Sequence, residues 1–421
     1  MFNKVPHQHL LHKLQYYGVG NKTLKLIQSF LTDRKQQVAL EGTLSSSATV
    51  LLGVPKGTVL GPLLFLTCIN NLPDAVQHSS ARFSADDSLL YRRTKDQQDQ
   101  ALLQEDFDSL EEWEYMWRME FKPSKYNVIC IMPNKQRKVL TSSHFLHGQT
   151  LETTNASKYL GITISSVLSW STHVEDVAAW GNRTVGFLQR KYRECTPKDK
   201  SVTYTTTVRP TLEYVSAVWD SHKQKDIRLL EKVQRWAAWY VTNNYTDRSP
   251  GTVTPMLEYL MWSNLEHRRR QVCLGMLYKI NKGLVNINPA SFFLHFDPRT
   301  RGTQRLYQEE TQHPVLFHSF FPRTVYKWNL FPTSISSAPS LESFQSRLVR
   351  SPHLSMNIKI MYIVFTTSAP VFCFNKTQGT DRDHLLTHIA AGLAMLCESP
   401  VLHRKKSRLA DDVLNVTMIT P

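Results

Sequence analysis

The stretch Arg82-Phe83-Ser84-Ala85-Asp86-Asp87-Ser88-Leu89-Leu90-Tyr91 constrains this chain most. Two adjacent carboxylates sit between a short apolar approach and an apolar exit, the pattern of a strand, a tight turn and a second strand, with Asp86 and Asp87 at the tip. Such a tip can hold a hard cation. Mg²⁺ takes one or two carboxylates and leaves its other positions to water and substrate phosphates, and two such ions can clamp both oxygens of a phosphoryl transfer. An isolated Asp-Asp pair reads first as a solvated turn, so the rest of the chain has to decide between the two.

With 421 residues the chain has room for two or three domains, each with its own core. Fifty Lys and Arg against 35 Asp and Glu leave a formal charge of +15, which suits a polyanionic partner such as nucleic acid. The six cysteines (Cys68, Cys130, Cys195, Cys273, Cys373, Cys397) form no CxxC and no Cys/His box, which argues against a zinc finger or a disulfide framework. A reducing intracellular setting, nuclear or cytoplasmic, is the simplest reading. The start, Met1 to His7, lacks the charged end and apolar core of a secretory signal. The most apolar run, Ile360 to Phe374, contains Pro370 and falls short of the ~20 residues of a membrane-spanning helix, so no membrane is expected.

Two helices are expected between His7 and Arg34, the second with Leu24, Ile27 and Leu31 in register. His7, His9 and His12 have no carboxylate or cysteine at a useful spacing and read as packing or surface residues. Gln36 to Leu52 reads as extended, with a turn at Glu41-Gly42. It leads into Gly53-Val54-Pro55-Lys56-Gly57-Thr58-Val59-Leu60-Gly61-Pro62 and an apolar helix. There the glycines let backbone approach a ligand, Pro55 sets the turn, and the helix start offers free N–H groups to a phosphate or a base edge; a plain loop-to-helix connection is the alternative. Gln97 to Arg118 forms an amphipathic helix with Leu103, Phe107, Leu110 and Trp117 on one side and Asp106, Asp108, Glu111 and Glu112 on the solvated face.

A break at Phe121-Lys122-Pro123-Ser124-Lys125 precedes the strand Val128 to Met132, and Lys125 is a candidate for a phosphate. After hairpins ending at Lys158-Tyr159-Leu160-Gly161, the apolar period becomes helical from about His173 to Met276. The polar faces there are basic (Arg190-Lys191, Arg193, Lys232, Arg235, His267-Arg268-Arg269-Arg270) and interleaved with Trp236, Trp239 and Tyr240, which suits nucleic-acid backbone and stacked bases, or a solvated face over a Trp-rich core. His403-Arg404-Lys405-Lys406 reads as a nuclear-type address or a solvated patch.

Taken together, residues 1 to about 348 resemble the reverse transcriptase of non-LTR (LINE-type) retrotransposons. Phe2-Asn3-Lys4-Val5-Pro6-His7 looks like the end of the first palm motif, Gly53 to Pro62 the second, and Ser84-Ala85-Asp86-Asp87 the third. Phe121 to Lys125 corresponds to the fourth, and Lys158-Tyr159-Leu160-Gly161 to the primer grip. Leu212-Glu213-Tyr214 with Val218-Trp219-Asp220, and His318 to Pro322 with Trp328-Asn329, look like downstream parts of the same elements. The region Tyr159 to Thr242 also resembles a short helical module at the start of AlkB-type tRNA-modifying dioxygenases, but without the His-x-Asp…His iron triad.

The first resemblance implies two-metal nucleotidyl transfer on an RNA/DNA template-primer, with two Mg²⁺ ions. Asp86 and Asp87 would serve as metal-binding and catalytic carboxylates. Gly53, Val54, Pro55, Lys56 and Gly57 would lie against nucleotide and template, Lys125 near the leaving pyrophosphate, and Tyr159, Leu160 and Gly161 would grip the primer. It also implies an α+β fold: an incomplete palm over residues 1–165, a helical thumb over 166–285, a C-terminal extension over 286–350 and an unassigned tail over 351–421.

The departures point to an N-terminally truncated, inert polymerase. The first-motif Asp would precede Met1, Asn3 holds the remaining acidic position, and Lys56, Ser84 and Lys122 replace the usual Gln, aromatic and Asn. Without fingers and a first palm strand, a sheet edge and apolar surface are expected to be exposed. A non-catalytic nucleic-acid-binding remnant, or a degraded transposon frame without a cellular role, is the alternative.

Overall fold

The computed structural model describes residues 2–85, 87–94, 96–131, 143–245, 249, 251–295, 305–307, 317–350 and 413–419. It divides into two compact units, one of Met1–Leu168 with Asp412–Pro421, the other of Ser169–Asp411.

In the first unit α1 (His7–Tyr16), α2 (Asn21–Leu31) and α3 (Leu60–Ile69) pack through Leu10, Leu14, Ile27, Leu31, Leu64 and Phe65. Between α2 and α3 the chain runs extended, as its sequence implies: Arg34–Gln36 pairs with Ala48–Val50, and Ala39–Leu40 with Thr43–Leu44 around a left-handed Glu41-Gly42 turn. Then follow β1 (Ser80–Ser84), β2 (Asp87–Thr94), α4 (Gln97–Trp117), β3 (Tyr126–Ile131), β4 (Glu152–Thr153) and the hairpin β5 (Ala156–Tyr159) with β6 (Ile162–Ser165). The apolar stripe of α4 closes on the same core, with Leu103, Phe107, Leu110 and Trp113 buried.

The main sheet has the order β4-β3-β7-β2-β1, and its central strand is the last of the chain, β7 (Val413–Ile419). β7 runs antiparallel to β2 from Val413 opposite Thr94 to Ile419 opposite Ser88, and antiparallel to β3 from Leu414 opposite Ile131 to Ile419 opposite Tyr126. The tail left unassigned in the sequence thus supplies the central strand, and the outer strands of the sheet are β4 and β1. The Ile360–Phe374 run and the His403–Lys406 cluster lie outside the described residues. Exposed apolar surface is present as expected, notably Leu51, Val59 and Leu63 around the start of α3.

The second unit is helical. Its main members are α5 (Ser171–Lys191), α6 (Gln224–Thr242), α7 (Leu265–Asn281), α8 (Phe320–Asn329) and α9 (Leu341–Val349). Leu274, Leu277 and Tyr278 of α7 share one core with Phe321 and Trp328 of α8 and Phe344 of α9, so residues beyond 286 pack on the helix that precedes them. Among the described residues no helix is long and apolar enough to cross a membrane.

Candidate active site

The N-terminal segment lies directly on the Gly-Val-Pro loop. Gly53 N–H donates to Val5 O at 2.8 Å, Val54 N–H donates to Phe2 O at 3.0 Å, and the His7 ring donates from Nε2 to Gly53 O at 2.8 Å. Gly53 has φ +88°, and a Cβ there would stand 2.7 Å from the Asn3 Cα. Only glycine therefore permits this approach, for reasons of both conformation and space. Phe2 stacks on Phe65 of α3 with centroids 3.9 Å apart, while Asn3 and Lys4 are exposed. Lys4 Nζ reaches Glu120 at 2.6 Å and thereby ties this segment to the turn before Lys125.

Further along the loop, Thr58 organises the entry into α3. Its hydroxyl donates to Pro55 O at 2.8 Å and accepts from Gly61 N–H at 3.1 Å, so one of the N–H groups expected to be available to a ligand is already used. Gly61 is packed so closely that a Cβ would meet Pro55 O at 2.3 Å. Val54 and Pro55 are buried, whereas Lys56 and Gly57 are exposed at the tip.

The β1–β2 hairpin is as tight as its sequence implies. Ser84 pairs with Asp87, leaving a two-residue connection of Ala85 and Asp86, and Ala85 takes φ +53°, the left-handed conformation favoured in such turns. Asp86 itself lies outside the described residues. Asp87 opens β2 and is partly exposed.

Lys125 closes a 3₁₀ turn, Pro123–Lys125, in which its N–H donates to Lys122 O at 2.9 Å. It is exposed and immediately precedes β3. Because Ile419 lies opposite both Ser88 and Tyr126, β7 brings the Asp87 tip and the Lys125 turn to one end of the sheet. The two strands carrying them are ~10 Å apart, with one strand between. The primer-grip residues form a second two-residue hairpin, Tyr159 opposite Ile162, with left-handed Leu160 and Gly161 at its tip. Tyr159 is fully buried there, so its ring belongs to the core and only the tip and Lys158 face outward.

Two sequence expectations need correction. Asp106, assigned to the solvated face of α4, is fully buried and accepts from the N–H groups of Gln77 and His78 at 2.8 and 3.0 Å. Its spacing three residues after Leu103 and four before Leu110 places it on the apolar stripe, which was the signal available. The run His267–Arg270 is not a free basic face either. Arg268 pairs with Glu213, Arg269 with Asp220 at 2.9 Å, and Arg270 with Glu266. Arg190, Lys191, Arg193, Lys232 and Arg235 do stand exposed.

Residues singled out downstream turn out to be framework. Asp220 binds Arg269 and also Arg323 at 3.0 Å, Trp219 donates to Tyr214 O at 2.7 Å, and the Asn329 amide both accepts from Leu306 N–H and donates to Leu306 O. The arginines hold the Asp220 carboxyl below the ordinary carboxylate range despite its burial. Sequence reasoning also passed over two groups in the first unit. Lys13 donates to Cys68 O and Asn71 Oδ1 at 2.7 and 2.6 Å, and burial pulls its pKa down to about 8. Glu114 accepts from Phe121 N–H at 2.6 Å and faces His147 Nε2 at 2.8 Å, with burial raising its pKa.

Asp87 offers a carboxylate and position 3 carries an amide, while Asp86 lies outside the described residues; among the described residues no three His, Cys, Asp or Glu side chains converge where an ion could sit.

A family model described as reverse transcriptase (RNA-dependent DNA polymerase) matches residues 1–164. The probable RNA-directed DNA polymerase from transposon X-element of Drosophila melanogaster is 26% identical over 259 residues, covering 58% of this chain and 28% of that protein. The probable RNA-directed DNA polymerase from transposon BS of the same fly has the same identity and coverage. The RNA-directed DNA polymerase from mobile element jockey, again of Drosophila melanogaster, is 27% identical over 184 residues, covering 42% of this chain and 20% of that protein. The chain thus spans little more than a quarter of the first two of these curated relatives. Residues 1–164, in which the Gly-Val-Pro loop and the Asp86-Asp87 hairpin occur in order, match the reverse-transcriptase family and resemble the reverse transcriptase of non-LTR (LINE-type) retrotransposons.

Proposed function

We propose that the first unit is the palm of an RNA-directed DNA polymerase of LINE type, and that the helical unit corresponds to its thumb and C-terminal extension. The observation that carries this reading is the convergence of motif segments: Asp87 and Lys125 at one end of the sheet, and Phe2–Val5 seated on Gly53–Val54. In such a palm Asp86 and Asp87 hold the metal side of the site, the Lys56–Gly57 tip faces nucleotide and template, and Lys125 offers charge to the departing pyrophosphate. When bound, Mg²⁺ ions would neutralise the phosphates and orient the attacking hydroxyl.

We further propose that this copy is inert as a polymerase. The departures at Asn3, Lys56, Ser84 and Lys122 support that reading, because phosphoryl transfer depends almost wholly on charge neutralisation and positioning. The purified chain with Mg²⁺ should incorporate no labelled dNTP on a primed RNA. Incorporation that Asp86→Ala abolishes would overturn the proposal of inertness and support the polymerase assignment.

A second reading, a non-catalytic nucleic-acid-binding protein, draws on the exposed Arg190, Lys191, Arg193, Lys232 and Arg235. It requires binding to single-stranded RNA or DNA that weakens steeply with salt and is indifferent to Mg²⁺. Substituting those five residues by Gln should abolish that binding.

A further inference from the structure

The strand that comes last in the chain occupies the middle of its sheet. β7 is paired on both sides, with β2 from Thr94 to Ser88 and with β3 from Ile131 to Tyr126. We propose that the slot between β2 and β3 is a strand-acceptor site that takes the Val413–Ile419 segment of a second copy of this chain as well as the chain's own, producing a strand-exchanged dimer.

Three observations carry this. The slot is an edge twice over: without β7, both β2 and β3 would present unpaired N–H and C=O groups along most of their length, and such edges recruit strands. The donor, Val-Leu-Asn-Val-Thr-Met-Ile, has no charge, no glycine and no proline, and is rich in β-branched residues. It therefore gains more from a sheet than from water whichever molecule supplies the sheet. Lastly, roughly 60 residues separate Arg350 from Val413, a reach of up to ~200 Å when extended, against a radius of gyration of ~16 Å for a body the size of the first unit.

By length alone, that separation does not confine the strand to its own slot. The backbone ladder is the same whether the strand comes from the same molecule or another. The balance then rests on protein concentration against the effective concentration of the chain's own strand, which falls as the intervening sequence lengthens.

The register supplies the test, because Asn415 lies opposite Cys130. Partners across an antiparallel pair have Cα atoms ~4.5–5.5 Å apart, within disulfide range. In the full-length chain, Asn415→Cys under mild oxidation should give an intrachain 130–415 bridge, mapped by peptide mass spectrometry; this also reports that the variant folds. A chain carrying both Asn415→Cys and Cys130→Ser, co-expressed with the unsubstituted chain under a different tag, can bridge residues 415 and 130 only between molecules. We expect a heterodimer linked through that peptide pair, with a fraction that rises as total protein is increased during co-refolding. An intrachain bridge in the first experiment with no 415–130 heterodimer at any concentration in the second would overturn the exchange. Absence of the bridge in both would overturn the strand pairing and the proposal with it.

Discussion

The two units show different uses of buried charge. In the first, three buried charges pin backbone: Asp106 holds the N–H groups of Gln77 and His78, Glu114, which also faces His147, that of Phe121, and Lys13 the carbonyl of Cys68. In the second, Asp226 and Lys200 are held by uncharged side chains, but other charges are buried in pairs that tie elements far apart in sequence. Asp220 sits between Arg269 of α7 and Arg323 of α8, and Glu213 holds Arg268. The difference follows from architecture. A sheet domain with long connections has loop N–H groups to satisfy, and a carboxylate can take two of them. Helices satisfy their own backbone, so what remains to be specified is which helix meets which, and a buried ion pair specifies it at the expense of desolvation. Among the described residues, Arg269 Nη1 and Nη2 have no hydrogen-bond partner, a sign of how sparingly that expense is offset.

The comparison can be broken by removing the anion on each side. Asp220→Ala strands the buried Arg269 guanidinium and the partly buried one of Arg323, and should lower the stability of the second unit by about 3–5 kcal/mol. Asp106→Ala leaves two loop N–H groups unpaired and should lower that of the first by about 2–3 kcal/mol. Denaturant unfolding read by peptide-resolved hydrogen exchange would report each unit separately. Equal losses, or a smaller one for Asp220→Ala, would contradict the contrast drawn above. Gly61→Ala should follow, at about 1–3 kcal/mol, since its Cβ would collide with Pro55 O and the loop would have to shift. Unchanged stability in the same measurement would mean that the Gly-Val-Pro loop is looser than its geometry.

The smallest effects are in pH, where the units should respond in different windows. His222 stacks on His318 at 3.6 Å, and burial, together with His318 and Arg323, lowers its pKa to about 4 from an ordinary 6.5. Between those values the unfolded chain binds more protons, so the stability of the second unit should rise with pH from about 4 to 6.5 and be lost as pH falls through that range. His222→Phe should flatten the slope. Lys13 gives the same sign higher up: with a folded pKa of about 8 against 10.5, the first unit should gain stability as pH rises between the two, and Lys13→Met should remove that gain. Hydrogen-exchange profiles across pH would separate the two, and coincident slopes in both units would refute the assignment.

Much of the first unit was legible because its signals are local. The apolar spacing of α1, α2 and α4, the Glu41-Gly42 turn and the tight Ser84–Asp87 hairpin each depend on neighbours within a few residues. The Gly-Val-Pro loop was legible as a place of close backbone approach, but not as the seat of Phe2–Val5. Tyr159 read as a site residue and lies in the core, because a hairpin that presents its tip buries the residue flanking it. The His267–Arg270 run read as a basic surface because its partners, Glu213 and Asp220, lie about 50 residues away and nothing local announces them.

What the sequence determined by itself is the resemblance of residues 1–164 to a reverse transcriptase and the order of its motifs: apolar periodicity, glycines where backbone crowds, and an acidic pair at a turn are written in adjacent residues. What only the tertiary structure decided is which distant pieces complete the body. Nothing local in Val413–Ile419 says that it pairs between β2 and β3, beside the tip that Asp87 shares. A strand's composition states that it will pair, whereas its partner is settled by which edges the rest of the fold leaves open.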